Sequence, residues 1–84
     1  MIDLRAQFEA AAQAAQNLSR RPDNDTLLHI YALYKQATTG DALGARPGFT
    51  DFVGRAKYDA WAKLKGTAKD QAMREYIALV DSMR

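Results

Sequence analysis

The sequence predicts an all-α domain of four helices, on three observations. Apolar residues recur at intervals of three and four in four separate stretches, the spacing of one helix face. No stretch alternates apolar and polar residues as a half-buried strand would. Pro22, Gly40 and Gly66 punctuate the periodic stretches where helices have to stop.

Leu4, Phe8, Ala11, Ala12, Ala15 and Leu18 share one face, and the many alanines add intrinsic helix preference. They predict a first helix from about Asp3 to about Ser19. Pro22 ends it, and Asp23, Asn24 or Asp25 supplies a side-chain oxygen for the free amides of the next helix. That second helix carries Leu27, Leu28, Ile30, Tyr31, Leu33, Tyr34 and Ala37 and stops at Gly40. From Gly40 to about Asp51, three glycines and a proline with few apolar residues mark the one long loop, with Phe49 and Phe52 as its expected anchors on the bundle. A third helix covers about Val53 to Lys65, with Gly66 at its left-handed C-terminal position. Thr67 and Asp70 form a capping-box variant that opens a fourth, carrying Ala68, Ala72, Met73, Tyr76, Ile77, Val80 and Met83. Periodicity alone does not say which helices run parallel.

At 84 residues the chain is read as one domain, 1–84. A domain this small buries a modest fraction of its surface, so a ligand belongs in a surface groove rather than an enclosed cavity. Twelve lysines and arginines against 10 carboxylates give a net charge of +2, which favours an anionic ligand but falls short of a nucleic-acid stripe. No cysteine is present, which excludes disulfides and thiolate metal sites. No stretch reaches the roughly 18 to 20 apolar residues of a membrane span, and Asp3, Arg5, Gln7 and Glu9 interrupt any signal-like apolar run. The expectation is a cytoplasmic monomer without stable membrane insertion, nucleic-acid partner, cofactor or metal.

Catalysis by acyl transfer needs a nucleophile, a base and an orienting group. Ser19 and Ser82 lie at predicted helix ends, far along the chain from His29, so the reading is non-enzymatic. Gly40, Gly44 and Gly48 match no phosphate-cradling loop, and any phosphate must be held by side chains. Tyr31 and Lys35 sit one helical turn apart, a ring and a cation on one face, which suits a nucleotide-like ligand. Lys35, Arg55 and Lys57 flank the long loop from two helices. Each of these residues also has an ordinary reading: solvated lysines, a core Tyr76 with its hydroxyl at the surface, and core positions for Trp61, Met73 and Met83.

The run Tyr34-Lys35-Gln36-Ala37-Thr38-Thr39-Gly40-Asp41, followed by Arg46-Pro47-Gly48 and Asp51-Phe52, resembles the acyl-CoA-binding protein family. Ala56-Lys57, Asp59-Ala60-Trp61, Leu64-Lys65-Gly66-Thr67, Lys69, Ala72-Met73 and Tyr76-Ile77 continue the likeness without a gap. The resemblance implies an up-down-down-up four-helix bundle that binds and carries medium- to long-chain fatty acyl-CoA esters for lipid-metabolising enzymes. It assigns ligand contact to Tyr31, Lys35, Lys57 and Tyr76, with Lys35 near the 3′-phosphate. Tyr34 adds a second ring, and Phe8, Leu27 and Leu28 are candidate walls for the acyl chain. Burial is worth roughly 0.8 kcal/mol per methylene, so much of the affinity should come from the tail. Gln16, Val53 and Tyr58 depart from the family pattern, the first two where cations are frequent. The alternative is a helical interaction module whose groove takes an amphipathic peptide.

Overall fold

The computed structural model describes residues 3–84. Its four helices are α1 (Leu4–Ala15), α2 (Asn24–Thr38), α3 (Phe52–Ala62) and α4 (Lys69–Ser82), the all-α class that the sequence predicts. Among the described residues no helix is long and apolar enough to cross a membrane.

Three of the helices start on a capping aspartate. The N–H groups of Ala6, Thr26 and Gly54 donate to Asp3, Asp23 and Asp51 at 2.7, 2.8 and 2.9 Å, satisfying amides that have no partner within the helix. At α3 the cap lies against Gly54, where an added Cβ would overlap the Asp51 carboxylate and displace it. Three ends differ from the sequence reading. α3 stops at Ala62 rather than about Lys65, the N–H groups of Leu64 and Lys65 turning back to the Trp61 and Ala62 carbonyls. α1 stops at Ala15 rather than Ser19, where the N–H groups of Gln16 and Asn17 turn back to Gln13 and Ala14 and the Asn17 amide takes the Gln13 carbonyl at 3.1 Å. Such local side-chain bonding competes with helix propagation. Thr67 does not cap α4: Ala68 holds that position with no side-chain bond, because Thr67 belongs to the preceding turn, its N–H on the Leu64 carbonyl and its own carbonyl accepting from Gln36.

Side-chain register fixes the topology. Phe8 meets Tyr76, while Ala14 and Leu18 lie with Met83, so α1 and α4 run parallel. Gln36 meets Thr67 and Tyr34 meets Tyr76, so α2 and α4 are antiparallel. Lys57 sits over Tyr31 and Lys35 over Trp61, an equal step along both helices that makes α2 and α3 parallel. The bundle is therefore up-down-down-up, and the long loop exists because parallel neighbours need a connection that returns the chain to its starting end.

In space the helices pack α1 on α4, α4 on α2 and α2 on α3. The core cluster of Phe8, Ala11, Leu33, Ala37, Ala72, Met73, Tyr76 and Val80 comes entirely from α1, α2 and α4. The bundle measures 44 × 29 × 14 Å, and its least dimension leaves no depth for an enclosed ligand cavity.

The loop is pinned by polar contacts. Arg46 grips Asp59 with two hydrogen bonds at 2.8 and 2.7 Å, the Tyr58 hydroxyl donates to the Gly44 carbonyl at 3.0 Å, and the Trp61 indole N–H donates to Gly40 at 2.7 Å. Phe49 and Phe52 do not anchor it, being 83% and 79% exposed. At the far end, fully buried Gln36 donates to Asp41 at 2.9 Å and to the Thr67 carbonyl at 2.8 Å, and the Gly66 N–H donates to the same Asp41 oxygen at 2.9 Å. One side chain of α2 thus ties its own C-terminus to the turn between α3 and α4.

Three carboxylates lie below their ordinary value of 3.8. The Thr26 N–H holds Asp23 there, the Gly66 N–H and then the Gln36 amide hold Asp41, and the Arg46 hydrogen bonds hold Asp59. Each favours the ionised form in the fold, so its stabilisation is complete above the unfolded value and lost as pH falls through the lower folded one. The thermal midpoint is expected to stay level from about pH 7 to about pH 5 and to fall below about pH 4. A midpoint that already drops between neutrality and pH 5 in a calorimetric scan would implicate other groups.

Candidate functional site

The parallel pairing of α2 and α3 produces a groove, because two helices in step present matching faces along their whole length. It has a volume of about 460 Å³. Leu27, Leu28 and Tyr31 of α2 form one wall, and Phe52, Val53, Ala56 and Lys57 of α3 form the other. Arg21 and Asn24 stand at the end where both helices begin. Arg21 is folded over that end, donating to the Pro22 carbonyl and to the Asn24 side chain, each at 3.3 Å.

The groove is chemically graded. Its opening turns carry leucines, a phenylalanine and a valine; one turn on, the Lys57 ammonium lies 5.3 Å from the centre of the Tyr31 ring; a further turn on, Lys35 lies 4.9 Å over Trp61. Both contacts are cation–π geometries, which hold long flexible side chains near one position. Neither lysine makes an ion pair among the described residues. An amphiphile with an apolar tail and a multiply charged anionic head fits this order of groups.

Of the sequence-predicted residues, the structure brings Leu27, Leu28, Tyr31 and Lys57 together in the groove, with Lys35 continuing the line. Phe8, Tyr34 and Tyr76 form a separate aromatic triad. Phe8 stacks on Tyr34 with ring centres 5.6 Å apart and meets Tyr76 edge-on at 5.0 Å, while Tyr34 and Tyr76 are 6.1 Å apart. Phe8 is therefore no neighbour of Leu27 and Leu28; it is buried between α2 and α4. Tyr76 is buried too, and burial, with Tyr34 beside it, pushes its hydroxyl above the ordinary value of 10.0, so the group stays a neutral hydrogen-bonding hydroxyl. Tyr34 keeps an exposed edge and lies three residues from Tyr31 on the same side of α2, which joins the triad to the head end of the groove.

Sequence reasoning missed Arg21, Asn24, Phe52, Val53 and Ala56 as lining residues. A usable signal existed: once Tyr31 and Lys57 are paired in a parallel register, Leu27 falls opposite Val53 and Asn24 near Phe52. Val53, a departure from the family pattern as a lost cation, is here part of the apolar wall. Trp61 is buried, as expected, but at the α2–α3 seam, where it donates to Gly40 and supports Lys35. Ser82 donates to the Leu79 carbonyl at 2.6 Å, and His29 is exposed on α2.

Comparison with known proteins places this geometry. Residues 5–80 match the family described as acyl CoA binding protein. The chain is 46% identical over 77 residues to an acyl-CoA-binding protein homolog of Drosophila melanogaster, spanning 92% of this chain and 90% of that one. It is 47% identical over 76 residues to the acyl-CoA-binding protein of Saccharomyces cerevisiae, 90% of this chain and 87% of that one. The fold superposes on the crystal structure of acyl-CoA-binding protein 2 of Oryza sativa with a TM-score of 0.91 at 39% identity, covering 95% of this chain and 87% of that one. On the solution structure of the yeast protein the TM-score is 0.71 at 48% identity, with 89% and 87% coverage. With a match along nearly its whole length and close to half its residues shared with curated members, the chain belongs to the acyl-CoA-binding protein family.

Proposed function

We propose that residues 1–84 act as one acyl-CoA-binding domain, a non-enzymatic carrier that buffers medium- to long-chain fatty acyl-CoA esters and delivers them to lipid-metabolising enzymes. The acyl chain lies between Leu27 and Leu28 on one side and Phe52, Val53 and Ala56 on the other. Lys57 and Lys35 take the phosphates, Lys35 nearest the 3′-phosphate, and Tyr31 stacks on the nucleotide. Tyr34 and Tyr76 complete the aromatic end. The observation that carries this reading is the graded groove, apolar where the helices begin and doubly cationic two turns later. Family membership does not favour the amphipathic-peptide alternative.

Isothermal titration with palmitoyl-CoA, octanoyl-CoA, free CoA and palmitate tests it, all held below micelle-forming concentration. The expected result is one-to-one binding, tightest for palmitoyl-CoA, with free CoA and palmitate weaker by at least about a hundredfold, since each lacks half of what the groove reads. Equal binding of free CoA and palmitoyl-CoA would remove the tail from the groove and overturn the assignment.

A further inference from the structure

Lys35 is fixed by a closed circuit of three contacts. Its carbonyl accepts from the Gly40 N–H at 3.3 Å, the Gly40 carbonyl accepts from the Trp61 indole N–H at 2.7 Å, and the Lys35 ammonium lies 4.9 Å over the Trp61 ring. Gly40 closes the circuit from a left-handed backbone, φ +94°, which a side chain would strain. Trp61 is 8% exposed, so packing holds the ring as well as the bond to Gly40.

The two lysines of the anionic end are therefore held differently. The pairs are crossed, Tyr31 of α2 under Lys57 of α3 and Trp61 of α3 under Lys35 of α2. Lys57 is exposed and its ring only half-buried, whereas Lys35 is half-buried on a buried ring. A free lysine side chain loses rotamer freedom when a phosphate fixes it, and a side chain fixed beforehand removes that loss from binding. Tryptophan is the ring that holds a cation best, and an ammonium seated on it keeps N–H donors directed away from the ring for an anion.

We infer that Trp61 is a positioning residue: its ring presets the Lys35 ammonium and thereby sets the preference for a ligand that carries a 3′-phosphate over one that lacks it. Trp61 acts through Lys35 and touches no ligand itself. The buried indole thus converts the parallel register of α2 and α3 into selectivity, because only in that register does a ring of one helix fall beneath the cation of the other. The inference rests on the proposed acyl-CoA reading, with Lys35 nearest the 3′-phosphate.

The test is isothermal titration of palmitoyl-CoA and palmitoyl-dephospho-CoA into the wild type, Trp61→Phe, Trp61→Leu and Lys35→Ala. The readout is the ratio of the two Kd values, which a general loosening of the fold leaves unchanged because both ligands share the tail and the pyrophosphate. The wild type is expected to prefer palmitoyl-CoA by about thirtyfold, the order of one charged hydrogen bond, and Lys35→Ala to lose most of that preference. Trp61→Phe, which keeps a weaker ring and drops the indole N–H, should lower the preference about threefold, and Trp61→Leu, which removes the ring, about tenfold. On the Lys35→Ala background Trp61→Phe should cost nothing further in the ratio. A wild-type or raised ratio in Trp61→Phe would overturn the inference, as would a further loss on the Lys35→Ala background; should Trp61→Leu fail to fold, Trp61→Phe decides. Tight binding of both ligands by the wild type with no preference would also overturn it while leaving the carrier reading in place, whereas a wild type that binds neither ligand would remove the carrier reading itself.

Discussion

Lys57→Ala is expected to weaken acyl-CoA binding by about 1.5–3 kcal/mol, roughly ten- to a hundredfold in Kd, and to leave the thermal midpoint nearly unchanged. The ammonium sits over Tyr31 at the junction between the apolar walls and the cationic end, and it has no partner in an ion pair that its removal would strand. Its exposure limits its part in stability, whereas a bound phosphate would exclude water from it and strengthen the bond. Lys35→Ala should weaken binding similarly with a slightly larger effect on the fold, because its contact with Trp61 is half-buried. For both, the loss should shrink as salt rises. Titration and differential scanning calorimetry on the same samples decide: a variant that unfolds while the surviving folded fraction binds normally marks the lysine as structural.

The largest expected loss of stability comes from Gln36→Ala, about 2–4 kcal/mol, a fall of about 10–20 °C in Tm for a domain of this size. The substitution deletes hydrogen bonds to Asp41 and to the Thr67 carbonyl and leaves a gap where nothing was exposed. The Gln36 Oε1 has no hydrogen-bond partner among the described residues, so the amide is not itself an ideal core group, and its two donated bonds outweigh that penalty. Urea unfolding with an unchanged m-value would show a loss confined to these contacts; a loss under about 0.5 kcal/mol would show the tie to be dispensable. Affinity for acyl-CoA should follow only the folded fraction, since Gln36 faces away from the groove.

These two side chains mark the boundary of what was legible in the sequence. Lys57 stands out by residue type and by family likeness, as do Tyr31 and Lys35, and periodicity places all four helices within a few residues. Gln36 lies inside the family-like run, yet its residue type does not mark it as buried: a polar residue on a helix with apolar neighbours reads as a surface position until the turn it ties becomes visible. Thr67 fails as a predicted cap for the same reason, because its backbone is claimed by contacts far away in sequence. Phe49 and Phe52 read as anchors since apolar loop residues usually point inward, and only the structure reveals that Arg46, Tyr58 and Trp61 do that work through polar bonds. The α2–α3 register, on which half the groove depends, is invisible to periodicity, which reports the faces of single helices and not how two of them align.

α3 packs on α2 alone and contributes nothing to the main core cluster. It is therefore the segment with the least to lose by swinging away, and local opening selects such segments. On the proposed reading the acyl chain touches both walls of the seam, so the cargo adds apolar contact to a helix otherwise held by α2 and by the polar bonds of Tyr58, Asp59 and Trp61 to the loop. Loading then rigidifies the helix, and escape of the cargo and detachment of the helix become one motion. On that reading, the residence time of a lipid on this protein is expected to follow how often one helix lets go of its neighbour.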